Sequence, residues 1–132
     1  GSNNIVLGTK SGTNIHSDSS TNGRNNVVLG NLAAVKLKSG YDNVIIGNEA
    51  GSNAVGERNV FMGYKTASSG NGGVNNCVIG TESGQRLSAQ SSNNVILGNS
   101  ASQILEFGEN SIIVGDNAGS ALKSSLNNIF IG

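Results

Sequence analysis

The sequence predicts an all-β protein, a parallel β-solenoid of about eight coils with a period of about 17 residues. Three observations predict this fold: an apolar triplet that recurs eight times, a nearly constant spacing, and turn-forming residues at both ends of each triplet. The chain has 132 residues, with 20 Gly, 21 Asn and no Pro. We interpret residues 1–132 as a single repeat domain.

The repeated motif is an Asn-rich pair, an apolar triplet and a glycine. Its copies are NNIVLG (3–8), NNVVLG (25–30), DNVIIG (42–47), RNVFMG (58–63), NNCVIG (75–80), NNVILG (93–98), NSIIVG (110–115) and NNIFIG (127–132). The closing glycines are spaced by 22, 17, 16, 17, 18, 17 and 17 residues. The first interval is longest because residues 13–24 form a longer loop between coils 1 and 2.

Each triplet is rich in strand-favouring residues, and it is bounded by Asn before and Gly after. A helix is not indicated, because Gly and Asn recur too often and no stripe with a 3.6-residue period survives. A period of about 17 residues is too short for a propeller blade or a helical repeat, and it suits one coil of a solenoid.

The asparagine before each triplet predicts a structural ladder. Stacked coils would place these side chains above one another, where amides can bond to each other and to backbone groups at a corner. The ladder residues are Asn4, Asn26, Asn43, Asn59, Asn76, Asn94 and Asn128. Ser111 interrupts the ladder in the seventh copy.

The triplets also predict self-association. Side chains alternate across a strand, so if the first and third residues line the core, the middle residues face outwards. On this assignment the oligomer interface comprises Val6, Val28, Ile45, Phe61, Val78, Ile96, Ile113 and Phe130. The opposite phase would instead turn sixteen apolar residues outwards. Because soluble monomers rarely expose such a stripe, we expect a parallel oligomer, with a homotrimer as the natural closed form.

Composition excludes several classes of function. Eight basic residues balance eight acidic ones, which leaves no basic field for nucleic acid. No apolar run is long enough for membrane insertion. The single cysteine, Cys77, rules out an intrachain disulfide, and its triplet position predicts an unreactive packing role. We expect no cofactor.

The sequence contains few candidate reactive groups. His16, the only histidine, is a weak metal candidate in the longer loop, and Asp18 beside it does not complete a ligand set. Glu106 and Glu109 could form a carboxylate pair acting on a sugar, although solvated loop residues are the simpler interpretation. Tyr64 follows its triplet glycine directly and could stack on a glycan or cover a neighbouring coil. We therefore expect no catalytic residues.

The repeat resembles known fibre repeats. The unit at 42–51, with Asp42 in place of the first Asn of N-N-V-I-I-G-N-E-A-G, resembles head repeats of trimeric autotransporter adhesins, which read approximately N-S-V-A-I-G-x-x-A. It is equally similar to repeats of phage and large-virus tail fibres. The resemblance covers the whole chain and implies a left-handed, homotrimeric β-roll. The longer period and larger middle residue depart from the adhesin pattern and favour a phage or viral fibre.

The functional expectation is a structural and attachment segment of a trimeric phage or viral fibre that presents loops to a host surface. A bacterial adhesin head that binds host cells or matrix is the first alternative, and a tailspike-like glycan-processing fibre is the second. Either of the first two would be extracellular, on a virion or a bacterial surface, with a glycan or protein receptor. The uncapped motif at both ends predicts a fragment of a longer fibre.

Overall fold

The computed structural model describes residues 2–16 and 23–132. These residues form ten three-residue strands, whose order along the chain is β1 (Ile5–Leu7), β2 (Val27–Leu29), β3 (Val44–Ile46), β4 (Val60–Met62), β5 (Cys77–Ile79), β6 (Val95–Leu97), β7 (Phe107–Glu109), β8 (Ile112–Val114), β9 (Ser124–Leu126) and β10 (Ile129–Ile131). The predicted longer loop at 13–24 includes residues 17–22, which lie outside the described part of the chain.

The fold is a parallel β-solenoid, as predicted. Eight strands form one sheet in the order β1-β2-β3-β4-β5-β6-β8-β10, and every pairing is parallel and in register. A second wall consists of the β7–β9 pair and a run of single bridges that joins Glu57, Val74, Ser92 and Glu109. From β2 to β10 the described chain completes about six turns with a period near 17 residues, rather than eight full coils.

Left-handed backbone closes the corners of each coil. In the coil that leaves β3, Glu49, Gly51 and Arg58 have φ angles of 57°, 53° and 55°. Gly47 has a φ of 136°, and a Cβ at that position would lie 2.3 Å from the carbonyl oxygen of Gly63 in the next coil. The motif glycine is therefore required both by its own backbone conformation and by the close stacking of coils.

The core is a narrow column of side chains inside the coils. The middle residue of each inner strand packs there against two other columns of side chains. One column consists of the small Ala, Ser or Thr that follows the corner, and the other consists mainly of leucines. Coil 3 has Ala54 and coil 4 has Gly70 at the leucine position, and Phe61 is the large middle residue of coil 4. A Cβ built on Gly72 would lie 3.0 Å from the Phe61 ring, so the glycine-rich turn makes room for the aromatic side chain.

The predicted outward orientation of the middle residues is wrong. Val28, Ile45, Phe61, Val78, Ile96 and Ile113 are all 0% exposed inside their own chain, so they cannot contact a second copy. The two outermost members, Val6 and Phe130, are less buried because a neighbouring coil packs on one side alone. The first and third residues of each triplet face outwards instead.

Candidate functional site

A continuous apolar feature of the described surface is the outer face of the eight-stranded sheet, which we call the apolar face. It is built from two columns, the first and third residues of each triplet, and all of its members are apolar. These are Ile5, Leu7, Val27, Leu29, Val44, Ile46, Val60, Met62, Cys77, Ile79, Val95, Leu97, Ile112, Val114, Ile129 and Ile131. No charged or amide side chain interrupts either column.

In-register pairing makes the apolar face continuous. Val44 pairs with Val60, and Ile46 pairs with Met62, so equivalent side chains stack from coil to coil. The inner members are partly covered by these neighbours, whereas Ile79 and Ile112 are 38% and 40% exposed. The face therefore combines regular spacing with apolar surface that the chain itself does not cover.

Cys77 belongs to this face. It is the first residue of β5, it is a free thiol, and it is half-buried between its neighbours in the column. It pairs with Val60 on one side and Val95 on the other. The thiol thus lies near the middle of the apolar face instead of in the core.

The ladder asparagines lie inside the corner that precedes each main strand. The Asn26 amide nitrogen Nδ2 donates to Asn4 Oδ1 at 3.0 Å and to the Gly40 carbonyl at 2.9 Å. Its own Oδ1 accepts from the backbone N–H and the Nδ2 of Asn43 at 3.1 and 3.0 Å. Equivalent bonds continue through Asn59, Asn76 and Asn94. Each side chain therefore satisfies buried backbone groups of two coils.

Ser111 replaces the ladder amide with two hydroxyls. Its backbone N–H still donates to Asn94 Oδ1 at 3.1 Å, and its Oγ lies 2.9 Å from the Oγ of Ser125. Ser125 occupies the column whose earlier members, Gly40, Gly56, Gly73, Ser91 and Gly108, each accept a hydrogen bond from a ladder amide. In this last coil a contact between two hydroxyls replaces that bond.

Tyr64 lies on the surface at a corner next to β4 and is 41% exposed. The Lys65 amino group lies 5.1 Å from the centre of its ring and 3.9 Å from the Glu49 carboxylate. The hydrogen bond to Tyr64, and then the charge of Glu49, raise the pKa of Lys65 above its ordinary value. This corner therefore holds an oriented cation between an aromatic ring and a carboxylate.

A second aromatic cluster surrounds Tyr41. The guanidinium groups of Arg24 and Arg58 lie 5.2 and 5.7 Å from its ring centre, and Arg58 also pairs with Glu57 at 3.4 Å. The hydrogen bond to Glu57 is the largest influence that raises the pKa of the Tyr41 phenol. Arg24 Nε is buried without a hydrogen-bond acceptor among the described residues, and the guanidinium group stacks on the ring.

The remaining candidates from the sequence do not converge on one place. His16 is exposed, and its backbone N–H donates to the Lys38 carbonyl at 3.3 Å. Glu106 lies 3.9 Å from Arg86, whereas Glu109 is exposed at the end of β7. Across residues 2–16 and 23–132, no group of three His, Cys, Asp or Glu side chains could hold a metal ion. Asp18 lies outside those ranges.

The apolar face is the sixteen-residue alternative that the sequence offered, and the sequence also contained a signal that favours it. A ladder asparagine directed inwards fixes the phase of the strand that follows, because Asn26 inside requires Val27 outside and Val28 inside. The sequence analysis did not predict the contact between Glu49 and Lys65. These residues are 16 positions apart, and they lie together because one turn of the solenoid separates them.

Within the described residues, no helix has the length and apolar character to cross a bilayer. Comparison with known proteins identifies no relative, since no protein-family model, no curated protein and no solved structure matches the chain. The parallel β-solenoid is thus established by the geometry of the chain itself.

Proposed function

We propose that this chain is a structural and attachment segment of an extracellular phage or viral fibre, in which three parallel copies associate through their apolar faces. The observation that supports the proposal is the apolar face itself, two unbroken columns of eight apolar side chains directed away from the core. The solenoid would provide length and rigidity, and its corners would be presented to a host surface.

The size of the apolar face supports association. Eight strands about 4.8 Å apart and three residues of about 3.3 Å each give a face of roughly 38 by 10 Å. At about 25 cal/mol per Å², covering it would contribute up to about 10 kcal/mol per chain. Forming a trimer takes two association steps, and each step costs about 4–15 kcal/mol in lost translational and rotational freedom. The apolar burial of three faces can therefore exceed the entropic cost of two steps.

The geometry of the face favours parallel copies. Its residues repeat once per coil along the solenoid axis, so a second copy in the same direction can match every coil with an equivalent coil. A closed three-fold arrangement directs one face of each chain to a common axis and leaves the polar corners outside. Three corners per coil would then be available to a receptor.

Association is tested by placing a charge on the face. Ile46→Lys and Met62→Lys add an ammonium group to the third-residue column, while Thr81→Lys adds the same group at an exposed corner position. We expect wild type and Thr81→Lys to sediment at three times the 13.3 kDa chain mass, and the two face variants to dissociate. A wild-type monomer at micromolar concentration would contradict the proposal.

Cys77 reports the direction of pairing. Parallel, in-register copies bring the Cys77 thiols to one height on the common axis, so a short bismaleimide should link the chains. A thiol moved to the exposed corner, in Cys77→Ser combined with Thr81→Cys, should link poorly. Equal linking of both proteins would show that the copies do not meet through the apolar face.

A further inference from the structure

A polar groove crosses three successive coils beside Tyr64. Its volume is about 400 Å³, and its walls include Glu49, Asn53, Lys65, Glu82 and Gln85. Glu49, Lys65 and Glu82 occupy the same corner position in consecutive coils, with φ angles of 57°, 52° and 54°. The groove therefore runs along the solenoid axis, with groups that repeat about every 4.8 Å.

The groups in the groove have unused hydrogen-bonding capacity. Glu49 and Lys65 are about one-third exposed and 3.9 Å apart, which leaves carboxylate lone pairs and ammonium protons available to a ligand. Asn53 donates to the Ser68 carbonyl at 2.6 Å, which fixes the amide and leaves its oxygen as an acceptor. Glu82 accepts from Gln103 at 3.4 Å and retains further acceptor sites.

Charge and polarity select the class of ligand. Two carboxylates and one ammonium group give the groove a net charge of −1, which disfavours phosphate, sulfate and sialic acid. The walls are almost entirely polar, so an apolar ligand would bury little surface there. A neutral ligand with many hydroxyl groups can donate to the carboxylates and accept from Lys65 and the amides.

Tyr64 does not line the groove, but it precedes Lys65, which does. Its ring is held by the Lys65 ammonium at 5.1 Å and remains 41% exposed. An aromatic ring offers the apolar C–H face of a sugar a flat contact that a simple polyol cannot use as well. The combination of flanking carboxylates, fixed amides and an adjacent ring is therefore suited to a saccharide.

We propose that this groove binds a neutral oligosaccharide, along the line from Glu49 through Lys65 to Glu82, with Tyr64 as a stacking platform. The inference rests on the proposed attachment function and identifies the class of receptor for it. Because the groove is open to solvent, one site binds weakly, with a dissociation constant in the millimolar range. Parallel copies of the chain would multiply this affinity through avidity.

The test uses the purified chain and immobilised oligosaccharides of three kinds: neutral hexose oligomers, sialylated or sulfated oligomers, and amine-bearing chitosan oligomers. We expect binding to neutral oligomers. Glu82→Gln keeps the shape of the side chain and one accepting oxygen but removes the charge, so it should weaken binding by about five- to tenfold, the effect of losing the charge assistance on one hydrogen bond. Tyr64→Ala should weaken it by a similar factor.

Matched controls separate the groove from the rest of the surface. Glu109→Gln removes an equivalent exposed carboxylate on the second wall and should leave binding unchanged. Ser69→Trp adds bulk at the groove wall and should block binding, whereas Ser39→Trp adds it at an exposed position that does not line the groove. Absence of neutral binding, preference for charged oligomers, or equal effects of Glu82→Gln and Glu109→Gln would each overturn the proposal.

Sedimentation of the same samples distinguishes the two proposals. A trimer that binds none of the oligosaccharides rejects the proposed oligosaccharide site and remains consistent with assembly through the apolar face. A monomer that binds neutral oligomers, and binds them more weakly after Glu82→Gln, supports oligosaccharide binding in the groove and rejects assembly through the apolar face.

Discussion

The asparagine ladder makes a quantitative prediction at Asn59. Its Nδ2 donates to the Gly73 carbonyl at 2.9 Å, and its Oδ1 accepts from the backbone N–H of Asn76 at 2.9 Å. The side chain is 1% exposed. Asn59→Ala removes both bonds and leaves the Asn76 N–H buried without an acceptor, because water does not reach this corner.

The expected cost follows from these two groups. A lost hydrogen bond contributes about 0.5–1.5 kcal/mol, and a buried orphaned donor costs about 1–3 kcal/mol, so the free energy of unfolding should fall by about 2–4 kcal/mol. Asn71→Ala is the matched control, since Asn71 is exposed and its side chain forms no hydrogen bond within the described part of the chain. The change there should be under about 0.5 kcal/mol.

Two measurements check the ladder prediction. Urea unfolding followed by circular dichroism gives the change in free energy at a fixed chain concentration, which keeps any association constant between samples. Native-state hydrogen exchange gives the protection of the Asn76 amide, which should fall specifically in Asn59→Ala. A loss no larger than that of Asn71→Ala, with the Asn76 amide still protected, would refute the idea that the ladder satisfies buried backbone.

Three further predictions concern coil packing and pH. Gly47→Ala should prevent folding or lower the free energy of unfolding in urea by at least about 3 kcal/mol, because its Cβ would lie 2.3 Å from the Gly63 carbonyl oxygen at a φ of 136°. Gly51→Ala should cost less, about 1–2 kcal/mol, because its Cβ would meet side chains at 3.3 Å and no backbone atom. Phe61→Ala should lower the free energy of unfolding by about 3–5 kcal/mol in the same assay, since the ring is 0% exposed and the neighbouring Gly72 has no side chain to fill the cavity. A loss as small as that of Tyr64→Ala, at an exposed position, would contradict the assigned packing. The Tyr41 phenol should ionise above its ordinary pKa of 10.0, and Glu57→Gln should lower that pKa, as read by absorbance at alkaline pH. Because the folded-state pKa is the higher one, this contribution to stability is complete below the ordinary pKa and is lost as pH rises through the folded value.

Much of the architecture could be predicted from local sequence. Asn-triplet-Gly copies at a constant spacing require short strands stacked in register, and Gly47 illustrates why no other residue fits at the closing corner. The stacking of Asn26, Asn43 and Asn59 also follows from the period, since equivalent positions of a solenoid must lie above one another. These features depend on the chain's own periodicity, which a sequence displays directly.

The direction of each side chain was harder to predict. A triplet such as Val44-Ile45-Ile46 is apolar at all three positions, so hydrophobicity alone is equally compatible with either phase. The buried Asn43 decides the phase, because it places Val44 outside and Ile45 inside. Compensation within a coil was also invisible, as Phe61 and Gly72 are 11 positions apart and meet across the width of the core.

The sequence by itself thus determined the eight strands of the main sheet, the coil period and the parallel stacking, because these depend on residues that recur at fixed intervals, whereas β7 and β9 of the second wall lie outside the triplets. The tertiary structure alone decided which face is apolar, that Cys77 lies on it, and that Glu49, Lys65 and Glu82 line one groove. The physical reason is that a fully apolar triplet does not itself show which residues point inwards. The asparagine before it decides this only once that asparagine is buried, and its burial depends on contacts between coils.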